Sequence, residues 1–523
     1  MKILYKNGNV ITMNGRPAEA VLTEDGMISA VGEAEGMDAA GARQIDLEGQ
    51  TLMPAFIDAH SHFSAVANGF LQVDLENCGS FQEIEEKIRD YVSRRNPEPG
   101  GWILARGYDP YRLKEQRHPK KELLDRAAPG YPVMVQHQSG HVGVFNSEAL
   151  RLLGVTSDTE APEGGMIEIH DGVPTGYMEE NAFLYYQKKV PAAGWEDLRE
   201  AYMQAQNQYI SRGIVSVQEG LMTKEMEGIY QRLLNSGILK VDLTAYTAPE
   251  DYHGLAERFP QAAAGRDRNF RLGGMKIFLD GSPQGRTAWM REPYAGEPDY
   301  CGYGTMKDED VTEAVLQAAE AGVQLLAHCN GDEACAQYIR VLDAARRHGA
   351  DISRCRPVMI HGQLLGLDQL ALVRELGIMP SFFVAHVYHW GDIHLKNFGM
   401  ERASHISPAG SALRDGIMFT FHQDTPVIDC DMLETVWCAA VRRTRDGSIL
   451  GREERISVEE ALRALTVNGA VQYGEEALRG TIEKGKYADF VILDRNPLTV
   501  PADEIPEVQV KGTVRRGIMI YEG

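Results

Sequence analysis

The stretch DVTEAVLQAAEAGVQLLAHCNGDEACAQYIRVLDAARR, residues 310–347, contains the pattern that decides the fold. Its centre, Val323 to Ala327, is an apolar run interrupted only by Gln324, and it lies between two segments with helical periodicity, Asp310 to Ala321 and Gln337 to Arg347. A short apolar run between helices is typical of a buried parallel strand in a βα unit. His328 follows the run directly, so a polar side chain stands at the carboxyl end of the predicted strand.

Seven further apolar runs share this character, and helical segments separate many of them. Eight βα units match a closed, TIM-like (β/α)8 barrel. An open, doubly wound parallel sheet is the alternative, although no Gly-rich fingerprint follows a strand to support it. The eight runs are Leu52 to Ile57, Ile214 to Val217, Val241 to Tyr246, Met275 to Leu279, Val323 to Ala327, Pro357 to Ile360, Ile378 to Val384 and Ile417 to Phe421.

Three segments lack the repeating βα pattern, which is found within residues 55–479. Residues 1–54 and 480–523 contain short strands and turns, such as the hairpin signal at Asp25-Gly26, and we expect them to form one composite β-sandwich. Residues from about 63 to 210 are too many for one βα loop and contain their own turns and predicted strands. The sequence therefore predicts an α/β protein whose barrel carries an insertion subdomain after its first strand.

The composition excludes several classes of protein. Apolar residues make up 43% of the chain and no apolar stretch approaches about 18 residues, so we expect no contact with a membrane. The formal charge of −22 and the lack of a long basic run argue against a nucleic-acid partner. Seven cysteines without a C-x-x-C pair argue against a disulfide framework and a zinc ribbon. No apolar signal segment precedes Lys6, so we expect a cytoplasmic location.

Polar residues follow four of the predicted strands, at the end where a (β/α)8 barrel has its active site, and a fifth strand contains Lys276. His60 and His62 are spaced i, i+2 and therefore point to the same side, and neutral imidazole is a good ligand for zinc. One such pair is weak evidence, and a lone histidine after a strand is commonly a hydrogen-bonded core residue. Their recurrence at equivalent positions favours a divalent-metal site. The candidate ligands are His60, His62, Lys276, His328, His361 and Asp424.

Lys276 is the unusual member of this set, because a charged, unpaired lysine inside an apolar run is costly to bury. One interpretation is an ion pair with Asp280, which follows the same run. Asp424 could have two chemical roles, because a carboxylate there could ligate a metal and also accept a proton from water.

Six ordered motifs cover nearly the whole chain: PAFIDAHSH (54–62), GWILARGYD (101–109), KIFLDGS (276–282), AHCNGD (327–332), FHQDTPV (421–427) and EKGKYAD (483–489). Together they resemble the amidohydrolase superfamily, in particular its branch of YtcJ-like proteins and N-substituted formamide deformylases. The resemblance implies a (β/α)8 barrel beside a composite β-sandwich. It also implies one or two divalent metal ions, with zinc as the expected ion.

The resemblance further implies a role for each candidate ligand. One metal would take His60, His62 and Asp424, and the other would take His328 and His361. In binuclear members the lysine that corresponds to Lys276 is carboxylated by carbon dioxide and bridges the two ions. A metal-activated hydroxide would attack a carbonyl carbon, and Asp424, the catalytic residue, would pass a proton to the leaving nitrogen.

Two positions depart from the family pattern. Ala55 stands where glycine is usual before the end of the first strand. Gly331 stands three residues after His328, where deaminases of the superfamily carry a proton-shuttling glutamate. The second departure disfavours deamination of a nucleobase-like ring.

Four residues are candidates for contact with the substrate, and three of them have a structural alternative. Trp102 could instead pack in a core, and Glu179 could be an acid at a helix N-terminus. His386 follows strand seven and could be a solvated loop residue. His141 matches a polar position of the family. The predicted substrate-binding set is therefore Trp102, His141, Glu179 and His386.

The function predicted from these residues is metal-dependent hydrolysis of a carbon–nitrogen bond, in an amide or N-acyl group of a small molecule. An ester hydrolase using the same site is one alternative, because the metal centre selects an electrophile and not a leaving group. A non-catalytic regulator on this scaffold is another, although such a protein should have lost ligands. A small-molecule substrate is the expected partner, and a homodimer is an option for a chain of this size.

Overall fold

The computed structural model describes residues 1–265 and 269–523, and its contacts divide the chain into two compact units. The first unit comprises residues 1–63 and 206–523, and the second comprises residues 64–205. In chain order the strands are β1 Lys2–Lys6, β2 Asn9–Val10, β3 Ala20–Glu24, β4 Met27–Gly32, β5 Arg43–Asp46, β6 Thr51–Pro54, β7 Phe56–Ile57, β8 Gln72–Asp74, β9 Ile103–Tyr108, β10 Val133–His137, β11 Val142–Phe145, β12 Gly165–His170, β13 Val173–Glu179, β14 Ile214–Met222, β15 Asp242–Thr247, β16 Phe270–Phe278, β17 Gln324–Cys329, β18 Val358–His361, β19 Met379–Phe382, β20 Thr420–Phe421, β21 Phe490–Leu493, β22 Val510–Arg515 and β23 Ile518–Glu522.

The α-helices of the described residues lie mostly between the strands of the first unit. They are α1 Phe63–Phe70, α2 Phe81–Arg95, α3 Lys121–Ala127, α4 Ser147–Leu153, α5 Glu180–Gln187, α6 Trp195–Ser211, α7 Glu227–Ser236, α8 Pro249–Arg258, α9 Pro260–Ala263, α10 Asp308–Ala321, α11 Asp332–Arg347, α12 Leu370–Glu375, α13 His386–Ser404, α14 Ala409–Arg414, α15 Met432–Val441, α16 Val458–Leu465 and α17 Val467–Tyr473. Within the described ranges, none of these helices combines the length and the apolar character that crossing a membrane requires.

An eight-stranded parallel sheet organises the first unit, in the order β20-β19-β18-β17-β16-β15-β14-β7. Strands β7 and β20 stand at opposite ends of this order, yet His60 and Asp424, which follow them, lie 3.4 Å apart. Since neighbouring strands are about 4.8 Å apart, the end strands of a flat sheet would be separated by roughly 34 Å. The sheet is therefore curled, which excludes the flat open arrangement. In addition, the amide of His62 donates to the carbonyl of Thr425 at 2.8 Å.

The unit built on α10, β17 and α11 shows why these residues form these elements. Gly322 follows α10 with φ +67°, a left-handed conformation in which glycine avoids the strain of a side chain and ends the helix. Asp332 and Glu333 place carboxylates in the first turn of α11, where the positive end of the helix dipole favours them. The helix therefore begins at Asp332, five residues before the predicted Gln337.

The first predicted strand, Leu52 to Ile57, is divided between two sheets. Its first part, β6, pairs antiparallel with β21, and only β7 joins the parallel sheet. The break falls at Ala55, whose amide donates to the carbonyl of Asp489, while the next amide, that of Phe56, donates to Gly213. Apolar periodicity could not reveal this change of partner, because every residue of the run is buried in either sheet.

Strands from both ends of the chain share one sheet in the first unit. The five-stranded sheet has the order β2-β6-β21-β22-β23, and a four-stranded sheet has the order β4-β3-β1-β5. Side chains of both sheets belong to one buried apolar cluster, which includes Tyr5, Val21, Leu52, Phe490 and Val514. Both terminal segments are thus anchored in the core of this unit.

The second unit has a sheet and cores of its own. Its six strands have the order β12-β13-β11-β10-β9-β8, with parallel pairs at β8–β9 and β9–β10 and antiparallel pairs elsewhere. One apolar cluster packs β9 and β10 against α2 and α3, and a second packs β11 and β13 against α4 and α5.

Candidate metal centre

His60 is held in one orientation by Gln218 of β14. The Nδ1 atom of His60 lies 2.6 Å from Oε1 of Gln218, while the amide nitrogen of Gln218 donates to the carbonyl of Ala59 at 2.7 Å. Because that carbonyl can only accept, Oε1 must be the acceptor for His60, and Nδ1 of His60 carries the proton. The lone pair of His60 is therefore on Nε2, as a metal ligand requires.

Asp424 brings three histidines together beyond the ends of the strands. Its Oδ1 atom lies 3.4 Å from Nε2 of His60 and 3.3 Å from Nε2 of His62, and its Oδ2 atom lies 3.8 Å from Nε2 of His361. Potential ligand atoms of His60, His361 and Asp424 all lie within 4.8 Å of one another. Two ligands of a tetrahedral zinc ion are about 3.3 Å apart, given bonds of about 2.0–2.2 Å.

The surroundings of Asp424 fit a cation. Within the described ranges, no donor with good hydrogen-bond geometry meets its buried Oδ1 atom. Imidazole lone pairs and carboxylate oxygens converge there, and a bound cation would satisfy both. The residues present therefore fit a divalent metal ion.

Buried histidines at this centre are uncharged. Burial, and then the charge of Lys276, lowers the pKa of His60 well below its ordinary value. Burial and the neighbouring His328 do the same to the pKa of His361. Burial alone would raise the pKa of Asp424, but its interactions with His62 and the other histidines hold that pKa well below the usual range. A carboxylate and neutral imidazoles are the protonation states that metal binding requires.

His422 is a functional candidate that the sequence analysis missed. Its Nε2 atom lies 3.1 Å from Nδ1 of His361, and its Nδ1 atom lies 2.9 Å from Oγ of Ser381. This chain of contacts directs Nε2 of His361 toward Asp424. The available signal was the i, i+2 spacing of His422 and Asp424, which repeats the spacing of His60 and His62.

Lys276 lies in the same cluster, buried, with Nζ 3.5 Å from Nε2 of His60. Burial lowers its pKa to about 7, against the opposing attraction of Asp424 and Cys329. Within the described residues no carboxylate oxygen lies within 4 Å of Nζ, so the suggested ion pair with Asp280 is wrong. Asp280 instead accepts hydrogen bonds from the backbone of Trp289 and of two residues after β17.

His328 stands beside the cluster, with its ring centroid 4.6 Å from that of His361. Both of its ring nitrogens face protein atoms: Nδ1 lies 3.2 Å from Asp280, and Nε2 lies 3.3 Å from the side-chain amide of Asn330. Gly331 follows, and a Cβ atom there would lie 1.9 Å from the carbonyl oxygen of Trp289. This backbone does not admit the glutamate that superfamily deaminases carry at the position.

His386 is the first residue of α13 and is buried, so the interpretation of a solvated loop residue is wrong. Its ring centroid lies 4.5 Å from those of Phe383 and Trp390, and Phe383 lies 5.4 Å from His422. One aromatic ring thus separates His386 from the metal-site histidines. Its contact with a substrate stays a prediction.

The other three substrate candidates belong to the second unit. Trp102 is partly buried against the apolar cluster of β11, β13 and α5, as its structural alternative predicted. Glu179 is the N-cap residue of α5 and accepts a hydrogen bond from the hydroxyl of Tyr177 at 2.6 Å. His141 is exposed, with Nδ1 3.1 Å from a carboxylate oxygen of Glu180. For these three residues a role in binding substrate also stays a prediction.

Comparisons with known proteins agree with this geometry. The family model described as "Amidohydrolase family" matches residues 43–521. The N-substituted formamide deformylase of Arthrobacter pascens is 29% identical, over 99% of this chain and 98% of the relative. The putative amidohydrolase YtcJ of Bacillus subtilis (strain 168) is 26% identical over 100% of both chains.

A solved structure supports the same assignment. An uncharacterised metal-dependent hydrolase from Pyrococcus furiosus is 26% identical, with a TM-score of 0.77, and the match covers 95% of this chain and all of the other. The resemblance predicted from the six motifs is thus confirmed. The chain belongs to the amidohydrolase family, and it is a metal-dependent hydrolase of carbon–nitrogen bonds.

Proposed function

We propose that this protein hydrolyses an amide or N-acyl bond of a small molecule, with Asp424 as the catalytic residue. The observation that carries the proposal is the convergence of Asp424 with His60, His62 and His361, whose carboxylate oxygens and imidazole nitrogens are the donor atoms that a divalent metal ion takes. The deformylase relative supports an amide-type substrate, since its name gives it an N-substituted formamide.

The donor atoms suit zinc, which takes nitrogen and oxygen ligands in a small coordination number. His60, His62, His361 and Asp424 would hold one ion. His361 could instead turn to a second ion together with His328 and a modified Lys276. When bound, a divalent ion would lower the pKa of water and polarise the carbonyl group of the substrate.

The protein's own residues would handle the proton. The carboxylate of Asp424 would accept the proton of the attacking water and donate it to the leaving nitrogen, so that the amine departs neutral. The low pKa of Asp424 keeps it ionised at neutral pH, which is the form that can accept a proton. Gln218 and His422 would hold the imidazoles of His60 and His361 in place.

We also propose that Lys276 is carboxylated when two ions are bound. Because burial lowers its pKa to about 7, a large share of the amine is uncharged near neutral pH. The nitrogen lone pair of the neutral amine would form a bond to the carbon of carbon dioxide, and one amine proton would leave to water. The resulting carbamate is an anion close to Asp424, so we expect it to persist only with metal between the two groups.

For the fold, we propose that the curled sheet closes into a (β/α)8 barrel and that residues 1–54 and 480–523 form one sandwich. The bond between His62 and Thr425 supports closure, since it joins the segments that follow the two end strands. The shared apolar cluster of the terminal sheets supports the sandwich.

The test is a substrate panel of N-formyl amines, N-acyl amino acids and carboxylic esters, assayed with zinc-loaded and chelator-treated protein. We expect amide hydrolysis that disappears with the chelator and returns with zinc. Asp424→Asn should lower kcat/KM by about 10²–10⁴-fold, the range for loss of a general acid–base group. Asp415→Asn, at an exposed residue after α14, is the matched control and should leave kcat/KM unchanged. Hydrolysis of esters alone would contradict the proposal.

A further inference from the structure

The candidate metal centre is open to solvent on one side. The imidazoles of His60 and His361 are buried. In contrast, the side chain of His62 is 28% exposed, that of His328 is 16% exposed and that of Asp424 is 15% exposed. A small molecule therefore reaches the centre past these three side chains.

Phe278, the last residue of β16, stands beside this open side. It follows Lys276 by two residues, so both side chains project from the same face of the strand. The centroid of the Phe278 ring lies 5.2 Å from Nζ of Lys276. It also lies 5.6 Å from the imidazole of His328, the residue that pairs with Phe278 in the neighbouring strand. The ring therefore adjoins two members of the candidate ligand set.

The ring of Phe278 is apolar and 37% exposed. Phe383 is a second phenyl ring beside the imidazoles, but it is buried between His361, His422 and His386. Single exposed apolar side chains are common on protein surfaces. This one, however, lies next to groups that suit a metal ion, and small-molecule sites combine apolar walls with a few polar groups of this kind. The exposed ring thus offers a contact surface for an apolar part of a substrate.

Phe278 and Asp424 lie on opposite sides of the curled sheet. In the order β20-β19-β18-β17-β16-β15-β14-β7, the strand that ends at Phe278 is four places from β20, which Asp424 follows. The two ends of this order approach each other at the contact of His60 with Asp424. Strands four places apart in such a sheet of eight face each other across it. A substrate at the centre therefore has Asp424 on one side and Phe278 on the other.

We propose that Phe278 is a specificity-determining residue that binds an apolar acyl chain of the substrate. The inference rests on the proposed hydrolysis of an amide, in which Asp424 gives a proton to the leaving nitrogen. With that nitrogen turned toward Asp424, the chain on the carbonyl carbon extends to the opposite side, where Phe278 lies. The substrate class is thus an N-acyl amine whose acyl group is a hydrocarbon chain of several carbons, and not a formyl group.

A binding experiment that needs no turnover tests this inference on the zinc-loaded, full-length protein. Straight-chain alkyl hydroxamates bind zinc through two oxygens and present their alkyl chain in place of the acyl chain of a substrate. Isothermal titration calorimetry of the series from acetohydroxamate to octanohydroxamate measures the gain in affinity per methylene. We expect a gain of about fourfold for each of the first few methylenes in the wild-type protein, as for a methylene that becomes buried.

The variant Phe278→Ala should reduce this gain to about twofold or less per methylene. Its loss of affinity should therefore be at least about tenfold greater for hexanohydroxamate than for acetohydroxamate. Phe278→Leu keeps an apolar side chain and should retain most of the gain. Leu316→Ala is the matched control, because Leu316 is an exposed apolar side chain of α10, and it should leave the gain unchanged.

Two results would overturn the inference. One is an equal gain per methylene in the wild-type protein and in Phe278→Ala. The other is an equal loss of affinity for every hydroxamate, which would show that the ring only packs against Lys276 and His328. Failure of the proposed function is a separate result. In that case N-acyl amines with the acyl chains of the tightest hydroxamates would not be hydrolysed, although the affinity for hydroxamates would still depend on Phe278.

Discussion

Two aspartates at opposite ends of the same parallel sheet, Asp242 buried and Asp424 partly exposed, have opposite surroundings. Asp242 begins β15, and its carboxylate accepts from Arg479 at 2.6 Å, from Arg516 at 2.9 Å and from Arg515. Asp424 follows β20 and faces the imidazoles of three histidines. At the amino end of the sheet the carboxylate is thus surrounded by guanidinium groups, which are always charged. At the carboxyl end the carboxylate is surrounded by imidazole rings.

The difference separates a structural cluster from a functional one. Burial would raise the pKa of Asp242, but Arg479, Arg515 and Arg516 outweigh burial and lower it to about 2. That carboxylate is already neutralised and has no vacancy for a ligand. The centre at Asp424 is instead lined by imidazoles that could ligate a cation, as is common where a site is organised for binding at the expense of stability.

The largest contrast should appear when each aspartate is neutralised in the metal-free protein. Asp242→Asn should cost about 3 kcal/mol of unfolding free energy, because it leaves buried guanidinium groups without their anion. Asp424→Asn should cost less than Asp242→Asn, because it removes a partner of imidazoles and of one lysine and not of three guanidinium groups. Urea unfolding with chelator present measures both. Equal losses in the two variants would contradict the division between structural and functional clusters.

A smaller effect should appear in acid. The pKa of Asp242 is about 2 in the folded protein, below its ordinary value of 3.8, so ionised Asp242 stabilises the fold. This contribution is fully present above about pH 4 and is lost as the pH falls toward 2. Its size is about 2 kcal/mol, since one pKa unit corresponds to about 1.4 kcal/mol.

Many groups titrate in this range, so the useful measurement is the difference in unfolding free energy between the wild-type protein and Asp242→Asn, from pH 6 downward. We expect a constant difference above pH 4 that shrinks below it. A difference that grows as the pH falls would show that Asp242 is not held ionised by the arginines.

The sequence predicts these two regions with unequal success. His60, His62, His328, His361 and Asp424 each follow an apolar strand, and the carboxyl ends of strands in a curled parallel sheet lie on one side of it. The network at Asp242 could not be predicted, because its arginines lie more than 200 residues away in the chain and follow no local pattern. His422 was missed for a related reason: its role depends on contact with a neighbouring strand.

The smallest effect tests how tightly the metal-site imidazoles are packed. A Cβ atom at Gly220 would lie 2.7 Å from Cε1 of His62 and 2.9 Å from Cε1 of His60, closer than side chains tolerate. Gly220→Ala should therefore displace the imidazoles and weaken the first zinc equivalent by about tenfold, or about 1.4 kcal/mol.

Gly228→Ala is the matched control, because Gly228 is exposed in α7 and a Cβ atom there meets nothing within 4 Å. Alanine should stabilise this helix by about 0.5–1 kcal/mol and leave zinc affinity unchanged. Titration of zinc against a competing chelator measures the zinc affinity, and urea unfolding measures the unfolding free energy. If Gly220→Ala bound zinc as tightly as the wild-type protein, the imidazoles would have room to move, and the contact between Asp424 and its histidines would not be a preorganised site. Weaker zinc binding with unchanged unfolding would instead show that the carboxyl end of the sheet is shaped for an ion, as the amino end is shaped for its arginines.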